Sequence, residues 1–122
     1  MANLSITRTT RELNGREKVT LLHGQHKSVA EMVKNNGDCK ISDIDYIAFF
    51  DEVESEQGEY YPAMIVTKSK ERYIVTGSVV TNKLSDVADD LDNNFEGLTI
   101  DFAYERSNGG NNFLNIFFYF DE

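Results

Sequence analysis

The order of the secondary-structure elements after Asp43 limits the fold of this chain more than any other feature. Three short segments rich in apolar residues and bounded by turn residues are followed by one segment with helical spacing. Two further apolar segments with alternating character complete the chain. This pattern predicts three strands, one helix and two strands. Two tight turns join the first three strands, so these form an antiparallel meander.

The meander strands are predicted at Ile44–Val53, Glu59–Thr67 and Arg72–Thr76. Gly58 lies in the first turn, where glycine supplies an unusual backbone angle. Pro62 cannot donate a ladder hydrogen bond, so the second strand holds it at an edge position or a bulge.

The helix is predicted over residues 79–92 from five apolar residues at helical spacing: Val80, Leu84, Val87, Ala88 and Leu91. Four aspartates lie near its solvent face: Asp86, Asp89, Asp90 and Asp92. Leu98–Glu105 alternates apolar and polar residues, as a half-buried strand does. The last strand, Phe113–Phe120, is apolar on both faces, so its second face needs a partner or a ligand.

The N-terminal extension, residues 1–40, is predicted to add a strand and a short helix. Residues 2–16 are polar and suit an edge strand or a mobile arm, and Lys18–His23 is predicted as a strand. Ser28 and Glu31 have the spacing of a capping box, which predicts a helix over residues 29–35.

Three strands, a helix and two strands in this order are typical of the OB-fold, a small barrel that often holds single-stranded nucleic acid. The chain has 122 residues, which suffices for one modest core. We therefore predict a mainly β, five-stranded OB-like barrel over residues 1–122, with the helix between strands three and four.

The charge distribution is uneven. The net charge is −9, which argues against binding duplex DNA by charge alone. Residues 1–40 carry seven lysines and arginines against four acids, whereas the rest of the chain is strongly acidic. Cys39 is the only cysteine, and no long apolar run or signal-peptide pattern is evident. These features predict a cytoplasmic protein without a membrane segment.

Three stretches resemble the small OB-fold single-stranded DNA-binding proteins of bacteriophages: Asp43–Phe50 with the turn at Gly58, Arg72–Ser78 leading into Val79–Leu91, and Arg106–Phe113. With the strand that closes the last stretch, the region they span, residues 43–120, is about two-thirds of the chain. The resemblance implies a protein that coats single strands in the cytoplasm of an infected cell, during replication or recombination, and that meets other replication or recombination proteins. The strand-like C-terminus departs from bacterial relatives with long acidic tails, which puts recruitment through such a tail in doubt.

Two groups of residues are candidates for nucleic-acid binding. Tyr46, Tyr60, Tyr61 and Tyr73 lie on the meander, where bases could stack on their rings. The alternative is that these rings fill the barrel. Lys68, Lys70 and Arg72 form a basic turn beside them, suited to phosphate contact or simply solvated. A basic N-terminal arm is a further possibility: Arg8, Arg11, Arg16 and Lys18.

The second face of the last strand predicts self-association. Phe113, Phe117 and Tyr119 form this face, and an apolar strand face is a common dimer surface. Base stacking and burial beneath the N-terminal segment are the alternatives.

No pattern in the chain indicates an enzyme, a cofactor or a metal. His23, His26 and Cys39 lack a fourth ligand and a standard zinc spacing. No phosphate-binding glycine loop or Ser/His/Asp pattern is present. The sequence therefore favours a non-catalytic, non-sequence-specific single-stranded DNA-binding protein. The alternatives are an acidic inhibitor that mimics DNA with helix 79–92 and a structural virion component.

Overall fold

The computed structural model describes residues 6–51, 53–55, 58–60, 62–106, 109–110 and 112–121. Its elements, in chain order, are β1 (Ile6–Thr9), α1 (Gly15–His23), β2 (Lys27–Ser28), α2 (Val29–Asn36), β3 (Cys39–Ile41), β4 (Ile44–Phe50), β5 (Val53–Ser55), β6 (Gly58–Tyr60), β7 (Ala63–Thr67), β8 (Arg72–Val75), α3 (Ser78–Asp90), β9 (Leu98–Arg106) and β10 (Asn112–Phe120). The predicted mainly β character is confirmed. Between Asp43 and α3 the described chain forms five strands where three were predicted, because each of the two strands flanking the Gly58 turn is divided in two, into β4 and β5 and into β6 and β7. One helix and two strands follow as predicted.

The strands form two sheets and a ribbon. The larger sheet has the order β1-β4-β7-β8-β2, and all its pairs are antiparallel except β2 with β8. The smaller sheet has the order β10-β9-β3, and β5 pairs with β6 in a ribbon that continues the β4–β7 hairpin. Pairs among the described strands do not close a barrel. The outer edge of β8, which closure would require, is instead paired with β2.

One nearly continuous segment serves both sheets. β3 pairs with β9 in the smaller sheet, whereas β4 pairs with β7 in the larger one. The chain bends between them at Asp43, whose φ of 53° lies in the left-handed region. The Lys68 N–H donates to the Asp43 carbonyl at 2.8 Å, which fixes the bend against the β7–β8 turn.

The main core lies between the two sheets and beneath α2 and α3. Its largest members are apolar side chains that face inward from both sheets and from the two helices, among them Ile47, Ile65, Leu84, Ile100 and Phe102. Every second side chain of a strand points to the same face, which explains why Leu98, Ile100 and Phe102 of β9 all lie in this core.

A second, smaller core covers the other face of the larger sheet. Tyr46, Met64 and Val66 pack there against Leu21 of α1 and against Leu13. The larger sheet is therefore covered on both faces, which explains why β4 and β7 are apolar at nearly every position.

The prediction of a strand at Lys18–His23 is wrong, because these residues complete helix α1. Asn14 caps the helix: its Oδ1 accepts from the Glu17 N–H at 2.8 Å, and the Glu17 carboxylate accepts from the Asn14 N–H at 3.1 Å. The apparent alternation of Val19 and Leu21 has a helical explanation. Leu21 is buried, whereas Val19 is 61% exposed.

Other local predictions are confirmed with small changes of boundary. Ser28 caps α2 by accepting from the Glu31 N–H at 3.3 Å, and Gly37 ends this helix with a φ of 89°. The edge-strand reading of residues 2–16 holds for Ile6–Thr9. Pro62 lies between β6 and β7, and its carbonyl accepts from Phe50. Within the described ranges, no helix is long and apolar enough to cross a membrane.

Candidate nucleic-acid interface

A cleft of about 450 Å³ lies between α1 and the β7–β8 hairpin, and we call it the basic cleft. Three cationic side chains line it, together with an aromatic and an aliphatic residue of the sheet: Arg16, Lys70, Arg72, Tyr46 and Val66. The lining also includes Asn14, Glu17, Thr20 and Asp45. Two of the predicted phosphate-binding residues therefore meet a predicted aromatic residue and an arginine of the N-terminal extension.

The hairpin turn that carries Lys70 is tightly bonded. Thr67 is its anchor: its N–H donates to the Glu71 carbonyl at 3.0 Å, and its hydroxyl accepts from the Glu71 N–H at 3.1 Å. The Lys70 N–H donates to the Thr67 carbonyl at 2.9 Å, and Lys70 has a φ of 71°. This turn geometry projects an exposed lysine from a fixed backbone, as a phosphate contact requires.

Arg72 joins the hairpin to the end of α1. Its Nε donates to the Gln25 carbonyl at 2.8 Å, and Nη1 donates to the Lys70 carbonyl at 3.4 Å. Gly24 permits this approach, because a Cβ there would lie 3.2 Å from Arg72 Nη2 and 2.4 Å from the Thr20 carbonyl oxygen. The guanidinium has five N–H groups, so these two bonds do not exhaust its donors.

Both acidic residues of the cleft, Glu17 and Asp45, bind Arg11. Its Nε and Nη2 donate to the two carboxylate oxygens of Asp45 at 2.9 and 2.8 Å, and Glu17 accepts from the same guanidinium. The bonds from Arg11 and from the Asn14 backbone lower the pKa of Glu17 to about 2. Arg11 compensates one of these two negative charges, and Arg16, Lys70 and Arg72 outweigh the other. The cleft therefore carries a net positive charge within an acidic protein.

Tyr46 and Tyr73 do not present free rings for base stacking. Tyr46 is 3% exposed, and the Arg11 guanidinium lies over its ring at 4.5 Å from the centroid. Tyr73 is 7% exposed and packs in the main core, and its hydroxyl donates to Glu71. Burial, together with this bond, raises the pKa of Tyr73 to about 12. Their prediction as stacking residues is therefore corrected: Tyr46 is cleft wall and Tyr73 is core.

Two other predicted stacking residues lie beyond what can be described. The Tyr60 backbone forms part of β6, but its side chain and the whole of Tyr61 lie outside the described residues. Lys68 is exposed in the same turn as Lys70.

The arginines of the suggested basic N-terminal arm do not form one surface, because each contacts a different part of the protein. Arg8 crosses to α3 and donates to Asp89 at 2.8 Å and to Ser85 at 3.0 Å. Arg11 binds Asp45 and Glu17, and only Arg16 lines the basic cleft. The signal that could have placed Arg16 is the spacing of Asn14 and Glu17, which starts a helix whose first turn carries this arginine.

The last strand has the predicted two faces. Leu114, Ile116 and Phe118 pack against the main core, whereas Phe113 and Tyr119 are 40% and 54% exposed on the opposite face. β10 is an edge strand of the smaller sheet. Self-association through this face stays a prediction.

Comparison with known proteins does not identify a family. No protein-family model matches the chain, no curated protein is similar to it, and no solved structure matches its fold. The chemistry of the basic cleft therefore carries the functional argument.

Proposed function

We propose that this protein binds single-stranded DNA without sequence preference and that the basic cleft holds the phosphate backbone. The observation that carries this proposal is the convergence of Arg16, Lys70 and Arg72 on one cleft in a protein whose net charge is −9. Cations gathered at one place attract a phosphate chain, while the acidic remainder of the surface repels a long duplex.

The cleft chemistry suits a nucleic-acid strand better than an isolated anion. Cations from α1 and from the β7–β8 hairpin line the same cleft, so more than one phosphate of a strand could be contacted there. Val66 and Tyr46 line the cleft but are almost fully buried, so the cations and not stacked bases hold the strand there. Phosphate contacts position a strand without reading its sequence, which fits non-specific binding.

We propose further that the fold is a partly open OB-like barrel. The bent segment from Cys39 to Phe50 supports this, since it pairs with β9 and with β7 and so connects the two sheets as one strand of a barrel would. In OB-folds, the face of the second and third strands commonly binds oligonucleotides. β7 and β8 hold these places after β4, and the basic cleft opens beside them. The resemblance to phage proteins suggests a role in replication or recombination.

A binding experiment tests the cleft directly. Fluorescence anisotropy with a labelled oligothymidine and with a duplex of equal length should show tighter binding to the single strand. Arg16→Ala and Lys70→Ala should each weaken binding to the single strand several-fold. Lys34→Ala is the matched control, because Lys34 is an exposed lysine on α2 outside the cleft. Equal or tighter binding to duplex at physiological salt, or unchanged binding in both cleft variants, would refute the proposal.

The alternative function, a DNA mimic, rests on the exposed acids of α3. Asp86, Asp89 and Asp90 are all exposed on this helix. Arg8 binds Asp89, which reduces the negative charge of the surface at that point. A DNA mimic would not be retained on a single-stranded DNA column, so salt-dependent retention discriminates between the two functions.

A further inference from the structure

The outward face of the smaller sheet carries an aromatic stripe, which we define as Phe113, Phe117 and Tyr119. The β9–β10 register places Phe117 opposite Asp101 and Tyr119 opposite Thr99. The β3–β9 register places Lys40 opposite Asp101 from the other side. Asp101 therefore lies at the centre of this face, between an aromatic ring and a lysine.

Asp101 has an unsatisfied carboxylate oxygen. Its Oδ1 atom is buried, and no residue in the described part of the chain donates a hydrogen bond to it. Buried polar atoms are normally hydrogen-bonded. The nearest cation in the ladder, Lys40, forms its ion pair with Asp38 instead, at 3.8 Å between Nζ and Oδ2. The face thus combines a carboxylate at its centre with a lysine that is 64% exposed and only weakly paired.

We propose that this face binds the same face of a second copy about a two-fold axis, with Lys40 of each copy donating to Asp101 of the other. Oδ1 is already covered by the chain's own atoms, so a donor from a second copy reaches the Asp101 carboxylate through Oδ2. A two-fold contact brings the same patch of both subunits together, so one arrangement pairs both lysines with both Asp101 carboxylates. The aromatic stripes then cover each other beside these ion pairs. This inference is independent of DNA binding, because the face and the basic cleft share no residue.

The charge of the face favours a second copy over nucleic acid. Asp101 and Glu105 both lie on it, and both would repel phosphates. The edge of β10 is a less suitable contact, because the Ile116 N–H already donates to the Asn115 Oδ1 at 2.9 Å and Lys83 donates to the same atom. The contact is therefore between faces of the sheets.

The size of the face sets the expected strength of the dimer. β9 and β10 have nine residues and are about 30 Å long, whereas β3 has three residues and is about 10 Å long. At about 4.8 Å per strand, each copy offers roughly 340 Å². The two copies together would bury roughly 700 Å², which is below the range of about 1,200–2,000 Å² for stable specific interfaces. We therefore expect a dimer that dissociates on dilution.

The proposed pairing of Lys40 with Asp101 of a second copy can be tested by reversing each charge in a separate variant. Sedimentation velocity of the unmutated protein should show a concentration-dependent dimer. Lys40→Glu and Asp101→Lys should each weaken self-association by roughly thirtyfold or more, since each leaves like charges facing each other across the contact. An equimolar mixture of the two variants should form a heterodimer, detectable by native mass spectrometry. In that mixture both contacts again join opposite charges, and no effect within a single chain can produce this recovery.

The controls keep the outcomes unambiguous. Lys34→Glu makes the same charge change on α2, away from this face, and should dimerise like the unmutated protein. Circular dichroism of both face variants should show intact folds before their association is compared. A monomer at the highest soluble concentration of unmutated protein overturns the inference. Folded variants that stay dimeric, or that do not associate with each other when mixed, overturn it as well.

Discussion

The guanidinium of Arg11 lies over the ring of Tyr46, 4.5 Å from its centroid, and ties the segment before α1 to strand β4. The same group binds Asp45 through two nitrogen atoms and also binds Glu17 on α1. One side chain therefore joins a strand, a loop and a helix. This arrangement fixes the wall of the basic cleft before any ligand is bound.

Substitutions of Arg11 and Arg16 should have different effects: the first should lower stability, and the second should weaken DNA binding. Arg11→Ala removes the stacking contact and the paired bonds to Asp45, so we expect a loss of about 1–2 kcal/mol in the free energy of unfolding. Arg16→Ala changes an exposed residue and should cost less than about 0.5 kcal/mol, although it weakens DNA binding. Urea denaturation of both variants checks this. Equal losses of stability would show that Arg11 has no special structural role.

The lowered pKa of Glu17 predicts that acid weakens the N-terminal cap of α1 and so destabilises the protein. Its pKa falls from 4.5 to about 2 in the folded protein, because Arg11 and the Asn14 backbone bind the charged carboxylate. A lowered pKa contributes stability that is fully present above pH 4.5 and is lost as the pH falls towards 2.

In thermal melts recorded between pH 4.5 and pH 2, the melting temperature should therefore fall as the pH is lowered. In Glu17→Gln the decline should be shallower, since the charged partner is already absent. A matching slope in the two proteins would mean that other carboxylates control the acid response.

Two strands of the smaller sheet, β9 and β10, could be predicted almost to the residue, whereas its three-residue strand β3 was not predicted. Leu98–Glu105 was expected and Leu98–Arg106 is observed, because a period of two both identifies a strand and assigns its buried face. The last strand was expected from Phe113 and begins at Asn112. Local pattern suffices where one face is buried and alternation is complete.

Local apolar pattern could not predict helix α1, nor the pairing of β2 with β8 at the edge of the larger sheet. The helix has one fully buried apolar residue, Leu21, so its apolar pattern is too weak to distinguish helix from strand. The pairing of β2 with β8 involves only Lys27 and Ser28, which carry no apolar signal. Both depend on contacts distant in sequence. For that reason the sequence placed Lys70 and Arg72 together but did not place Arg16 beside them.

The glycines at the two ends of α1, Gly15 and its C-cap Gly24, should respond differently to a methyl group. Gly24→Ala would put its Cβ 2.4 Å from the Thr20 carbonyl oxygen, so the last turn of the helix or Arg72 must move. We expect a loss of about 1–3 kcal/mol, the usual cost of overpacking, and weaker DNA binding. Gly15→Ala meets no atom within 4 Å and should be neutral or slightly stabilising. Urea denaturation checks both, and a harmless Gly24→Ala would contradict the close packing of α1 on the hairpin.

The slope of DNA affinity against salt concentration should report how many cations of the cleft contact phosphates. Each phosphate neutralised on a single strand contributes about −0.7 to the slope of log K against log salt, so three contacts predict a slope of about −2. Lys70→Ala should make the slope shallower by about 0.7, because one counterion fewer is released. Lys34→Ala, outside the cleft, should leave it unchanged. Anisotropy titrations over a range of sodium chloride concentrations measure these slopes. A much steeper slope, or one that Lys70→Ala does not alter, would place the phosphate contacts elsewhere on the protein.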